Sequence, residues 1–241
     1  MHKTITALLL SGSLLASAPL LARDLTVEIT NLTHATYFTP LLVAAHNRHT
    51  HLFEVGTEAS VNLQAMAEGG DTSGLIGEIE SVNGEFDADP AGGLLEPGLT
   101  ATTTLDLGRS TTHLSITAML LPTNDGFVGL DALKIPKQRG TYTYYLNGYD
   151  AGTEANDEII NGGGALNVPG IPADPGGNGG TGAVSEVGPD HNPKVHIHRG
   201  VLGDMDPLGG SSDLDSRIHH WLNPVARVVL KVGKVRHHDD D

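Results

Sequence analysis

LTATTTLDL at residues 99–107, HLSITAMLLP at 113–122 and YTYYLNGY at 142–149 are the stretches that decide the fold class. Each is rich in threonine, β-branched or aromatic residues and is bounded by turn formers, the composition that suits a pleated, half-buried surface. Working outward, DLTVEITN at 24–31 sets Leu25, Val27 and Ile29 against Thr26, Glu28 and Thr30, the two-residue period of a strand with one buried face. VHIH at 195–198 and PVARVVLKVGKV at 224–235 supply two more strands. Residues 37–45 are apolar but interrupted by Pro40, which predicts an edge strand or an extended loop. Residues 60–67, behind a capping Ser60, and residues 72–81 read as two brief surface helices. Strands separated by turns, without a βαβ rhythm, predict a mainly β chain built as an antiparallel sandwich or barrel.

The 241 residues include 14 Lys and Arg, 29 Asp and Glu and no cysteine, for a formal charge of −15. That charge repels nucleic-acid phosphates and anionic lipid, and no basic patch offsets it, so nucleic acid is excluded as a partner. Met1-His2-Lys3 leads into an apolar run too short to span a bilayer, the pattern of an export signal. Residues 1–22 are therefore read as a signal peptide. The mature chain begins near Arg23, is periplasmic or secreted, and contains no transmembrane segment. Residues 23–236 form one domain, and 237–241 a disordered acidic tail. Export without cysteine means that the core, alone or with a bound ion, must hold the fold. Ten glycines lie between Gly162 and Gly188, with Pro169, Pro172 and Pro175 among them, which predicts a long mobile loop.

No HExxH, no GxSxG in the mature chain and no phosphate-binding loop occurs, so the common hydrolase and nucleotide-binding patterns are absent. His196 and His198 stand two apart on a strand and project from one face. They are either a solvent-facing pair or, with a third ligand, a copper or zinc site of a periplasmic metal-binding protein or metalloenzyme. A second grouping lies in two loops, LPTNDGFVG at 121–129 and YDAGTE at 149–154. Asp150 and Glu154 flank Gly152 and can turn oxygens toward one point, with Asp125 completing the set if both loops lie at one end. A dense carboxylate group is self-repelling unless a cation neutralises it, and hard oxygen ligands favour Ca²⁺. Acidic turns are also commonly just solvated turns.

The blocks MLLPTNDGFVGLDAL at 119–133, YDAGTE at 149–154 and NPVARVVL at 223–230 resemble, in order, the spondin N-terminal domain family, known from extracellular matrix proteins such as F-spondin and mindin. The family wording is of the form MLVPSPDWFVG, WDAGTD and PIARV, and the chain is most similar to its bacterial, cysteine-free, single-domain branch. The resemblance implies a C2-like antiparallel β-sandwich, to which the two short helices are peripheral, with a calcium ion at its loop ends held by Asp125, Asp150 and Glu154. It also implies a secreted recognition or adhesion module whose partner is an extracellular protein or carbohydrate. Two departures stand out: Glu154 replaces an Asp, and Gly126 replaces an aromatic residue.

Overall fold

The alternation at the N-terminus sets the first strand. β1 (Ala22–Asn31) buries Leu25, Val27 and Ile29, while Thr26 and Thr30 face outward and pair with Thr104 and Thr100 of β5 (Thr100–Leu107). β5 alternates exposed and buried at every position, as a strand with one wet face must. The computed structural model describes residues 22–177, 179–206 and 210–236; the predicted signal segment 1–22, apart from Ala22, and the tail after 236 lie outside it. On the other side of β1 runs β10 (Ala226–Arg236), followed by β8 (Gly140–Asp150), β7 (Gly126–Lys134), β6 (His113–Leu121), β3 (Leu42–His46) and β4 (Glu85–Ala88). β2 (Tyr37–Phe38) adds to β6, and β9 (His196–Ile197) adds to β8. Every pairing in this path is antiparallel.

Right-handed twist accumulated over this path brings its two ends together. Thr103 Oγ1 of β5 donates to Asp87 Oδ2 of β4, so the sheet rolls into a nearly closed barrel. The mainly β, antiparallel class read from the sequence is the one that forms. The pairings trace one rolled path, in which β8 pairs with β10 through residues 140–146 and with β7 through residues 147–150.

Three local expectations are corrected. The apolar run at 37–45 is neither edge nor loop: Pro40 falls between β2 and β3, where it removes no ladder bond, and β3 is an inner strand flanked by β4 and β6. β7 begins in residues read as loop, 126–129, where Gly126 and Gly129 interrupt the run, yet it pairs on both sides. The helices α1 (Val61–Gly69) and α2 (Ser73–Ser81) are more than surface pieces. Ser60 Oγ accepts from Leu63 N at 3.1 Å to cap α1, and Leu63, Met66, Leu75 and Ile79 are fully buried. Successive residues of β3 show why. Val43 and Ala45 face the interior of the roll, whereas Leu42 and Ala44 face a second core beneath the helices, where Phe127 of β7 joins them.

The glycine-rich stretch is likewise tied down. Ile171 is buried and bridges to Ile160; Thr181 N and Oγ1 donate to Asp213 Oδ2; Ser185 Oγ and Glu186 N donate to Asp157 Oδ2. Asp174 and His219, with both side chains buried, meet at 3.2 Å. The backbone is irregular, as the glycines and prolines demand, but polar contacts and one apolar anchor hold it against the barrel.

Candidate metal centre

The centre is built by the β6–β7 turn and the segment that leaves β8. In the turn, Thr123 Oγ1 donates to Leu120 O at 2.6 Å and accepts from Gly126 N at 3.0 Å, folding Asn124 and Asp125 inward until both are buried. A side chain at 126 has no room: a Cβ there would lie 2.6 Å from Thr123 Oγ1 and 3.2 Å from the His198 ring. This accounts for the glycine where the family wording has an aromatic residue. The register Gly126↔Asp150 then sets the turn beside the end of β8. At Gly152 the chain reverses with φ +72°, and a Cβ would lie 2.6 Å from Lys194 N, so only glycine fits.

The two acidic loops therefore lie at the same end of the barrel, the condition on which the predicted group depended. Asp125 Oδ2 accepts from Thr153 N at 2.7 Å, Glu154 N at 3.1 Å and Thr153 Oγ1 at 3.2 Å. Asp150 Oδ1 accepts from Gly152 N at 2.8 Å, and its Oδ2 from Asn156 Nδ2 at 2.7 Å. Glu154 Oε2 accepts from Gly170 N at 3.0 Å and Asn124 Nδ2 at 3.4 Å. All three carboxylates are buried. The other oxygens, Asp125 Oδ1 and Glu154 Oε1, are buried with no hydrogen-bond donor. No group of three His, Asp or Glu side chains converges as a ready metal cage among the described residues.

Burial dominates the electrostatics. It pushes the Asp125 carboxyl up to about 7, helped by the charge of Asp150 and opposed by the amides of Thr153 and Glu154. Burial also raises Glu154 to about 8; the charges of Glu68 and Asp125 add to it, against the bonds from Gly170 and Asn124. Both orphan oxygens thus belong to groups that resist carrying charge unless a cation compensates.

The histidines divide. His196 Nδ1 meets Lys194 O at 2.8 Å, which leaves Nε2 facing Asp150 Oδ2 at 3.7 Å in a cavity that Glu154, Asn156 and His191 also line. His198 is buried beside Trp221, with ring centroids 5.1 Å apart, and burial lowers it to about 4. Gly200 N donates to His198 Nδ1 at 2.9 Å, so neutral His198 carries its proton on Nε2. That tautomer offers no lone pair to a metal at Nε2. The two histidines do not act as a chelating pair in this arrangement.

Sequence reading missed two participants. Asn124 joins Glu154, Asp157 and Glu158 through its amide. Glu68 of α1 is 1% exposed and lies near enough to Glu154 to raise its pKa. The one sequence signal for Glu68 is an acidic residue in a last helical turn, where the macrodipole disfavours negative charge. A Ser–His contact elsewhere is structural. Ser115 Oγ lies 2.8 Å from His46 Nε2 and accepts from Ala132 N at 2.9 Å, stapling a register shift between β6 and β7, but both side chains are wholly buried from any substrate.

An antiparallel β-barrel module with an acidic, desolvated centre at one end is the class that fold and site define. The family model described as Spondin_N matches residues 30–158, more than half of the chain, and the protein belongs to the spondin N-terminal domain family. The match contains Asp125, Asp150 and Glu154 and stops short of His196 and His198. Comparison with curated proteins returns no match. The chain is thus a spondin-type module, of the kind carried by secreted proteins, and no helix among the described residues is long and apolar enough to cross a membrane.

Proposed function

We propose that the protein is an exported, calcium-binding recognition or adhesion module, in which Asp125, Asp150 and Glu154 hold one Ca²⁺ that orders the loops at this end of the barrel. The observation that carries the reading is the pair of buried, donorless oxygens, Asp125 Oδ1 and Glu154 Oε1, on carboxyl groups whose burial opposes ionisation. When bound, the ion supplies positive charge and oxygen coordination that water cannot supply in a buried site. The role of the ion is structural: Asp125 already gathers the amides of Thr153 and Glu154, and neutralising it holds that loop in place. The partner is an extracellular protein or carbohydrate. An open groove lined by His51, Phe53, Asp131, Tyr145, Asn147 and Tyr149 supports that part of the reading, since it sets aromatic faces beside hydrogen-bonding groups.

The test is thermal unfolding of the mature chain in chelator and in Ca²⁺. Saturation at about a hundred times Kd adds about 2.7 kcal/mol, which for a chain of this size raises Tm by roughly 5–10 °C. Asp125→Asn is expected to remove that rise while keeping the fold. Metal analysis of protein prepared without affinity resin is expected to find calcium and not stoichiometric copper or zinc. A parent protein whose Tm ignores Ca²⁺ sinks the reading.

A further inference from the structure

Glu68 is an unusual place for a carboxylate. It is 1% exposed, stands in the last turn of α1, and keeps Oε2 buried with no hydrogen-bond donor. Its other oxygen accepts from Gln64 Nε2 at 2.7 Å. Glu154 mirrors this arrangement, with Oε2 held by Gly170 N and Asn124 Nδ2 and Oε1 donorless. The end of α1 and the loop after β8 both pack on the glycine-rich segment, Glu68 through its backbone at Gly164 and Glu154 through the amide of Gly170, and the charge of Glu68 adds to the upward push on Glu154. Two buried carboxylates, each with one oxygen hydrogen-bonded and the other without a donor, have the chemistry that a hard cation would satisfy. The glycine-rich segment touches both residues: Gly170 N donates to the Glu154 carboxylate, and a Cβ at Gly164 would lie 2.7 Å from the backbone carbonyl of Glu68.

We propose that Glu68 is a cation ligand acting together with Glu154, so that the acidic centre reaches into helix α1 and takes up a hard divalent ion, Ca²⁺ foremost, beneath the glycine-rich segment. This deepens the calcium reading of the same centre and rests on it. It adds a consequence for the fold, because the ion then ties α1, the loop after β8 and the segment carrying Gly164 and Gly170 into one unit. The competing arrangement is a proton shared between the two carboxyl groups, with no ion.

Glu68→Gln distinguishes the two. Calcium titration by calorimetry at pH 8, after chelator treatment, is expected to show at least a tenfold loss of affinity or the loss of one bound ion relative to the parent. The Ca²⁺-induced rise in Tm shrinks in step, whereas Tm in chelator is not lowered, because the substitution removes a buried like charge. If Glu68→Gln folds poorly, Glu68→Asp keeps the charge and shortens its reach, and the same loss of affinity is expected. Calcium binding that is abolished by Asp125→Asn but untouched by either Glu68 variant overturns this inference and leaves the calcium reading standing. Absence of calcium binding by the parent removes both.

Discussion

Asp125 illustrates how one residue carries opposite demands. One oxygen gathers three donors from the neighbouring loop, a local fit that favours the anion, while burial and Asp150 disfavour it, and the balance lies with burial. The consequence for stability has a definite sign. In cation-free protein the folded-state values of Asp125 and Glu154, about 7 and 8, lie above the ordinary 3.8 and 4.5. The folded chain then binds more protons than the unfolded one across that window, so stability falls as pH rises through it. Melting in chelator is expected to show Tm decreasing from pH 7 to 8.5. With Ca²⁺ present the ion replaces the protons, so the increment that calcium adds grows over the same interval. A chelator profile that is flat or rising there contradicts the burial argument. Spacing around Gly152 singled out Asp150 and Glu154, with Asp125 added from the neighbouring loop; that all three are buried was not legible. Nor were the roles of His198 and Glu68, because burial and the bond from Gly200 are properties of the assembled chain.

At the scale of elements, the helices show why short segments mislead. α1 and α2 span nine residues each, too short to be stable alone, and the sequence marks only their start signals and mixed polarity. Their stability comes from what they cover: Leu63, Met66, Leu75 and Ile79 close the outer face of the sheet over Leu42, Ala44 and Phe127. Met66→Ala is expected to destabilise the protein by about 2–5 kcal/mol, measurable as a lowered denaturant midpoint with an unchanged slope. A loss below about 1 kcal/mol would mean that α1 is the surface piece its sequence suggests. The same contact sets the position of Glu68, so the helix that seals the second core also delivers a carboxylate to the acidic centre. β7 is the complementary case. Its Gly126 and Gly129 read as breaks, yet each is demanded by a side chain that occupies the space, Thr123 at the first and Phe53 at the second.

At the scale of the whole molecule, the roll of the sheet brings distant parts of the chain to one end of the barrel. The turn at 122–125, the loop after β8, the C-terminal end of α1 and the glycine-rich segment meet there, and β9 is added beside Asp150. The glycine-rich segment is held from its far side by Asp174, whose side chain is buried against His219. His219→Ala is expected to release that anchor. Limited proteolysis should then cut between residues 161 and 189 several times faster than in the parent, with the barrel strands still protected; equal cleavage rates would show the clamp to be dispensable.

Linear order was enough for the mainly β, antiparallel class and for most of the long strands, β1, β5, β6, β8 and β10. Alternation with period two, turn residues and local loop chemistry act between near neighbours and are written in linear order. Only packing settled that the sheet rolls into one nearly closed barrel, that Pro40 and Gly126 fall where they cost no pairing, and that Glu68 is shut away from water. Those outcomes depend on twist summed over many strands and on which side chains are shut away from water, quantities that exist only once the chain has packed.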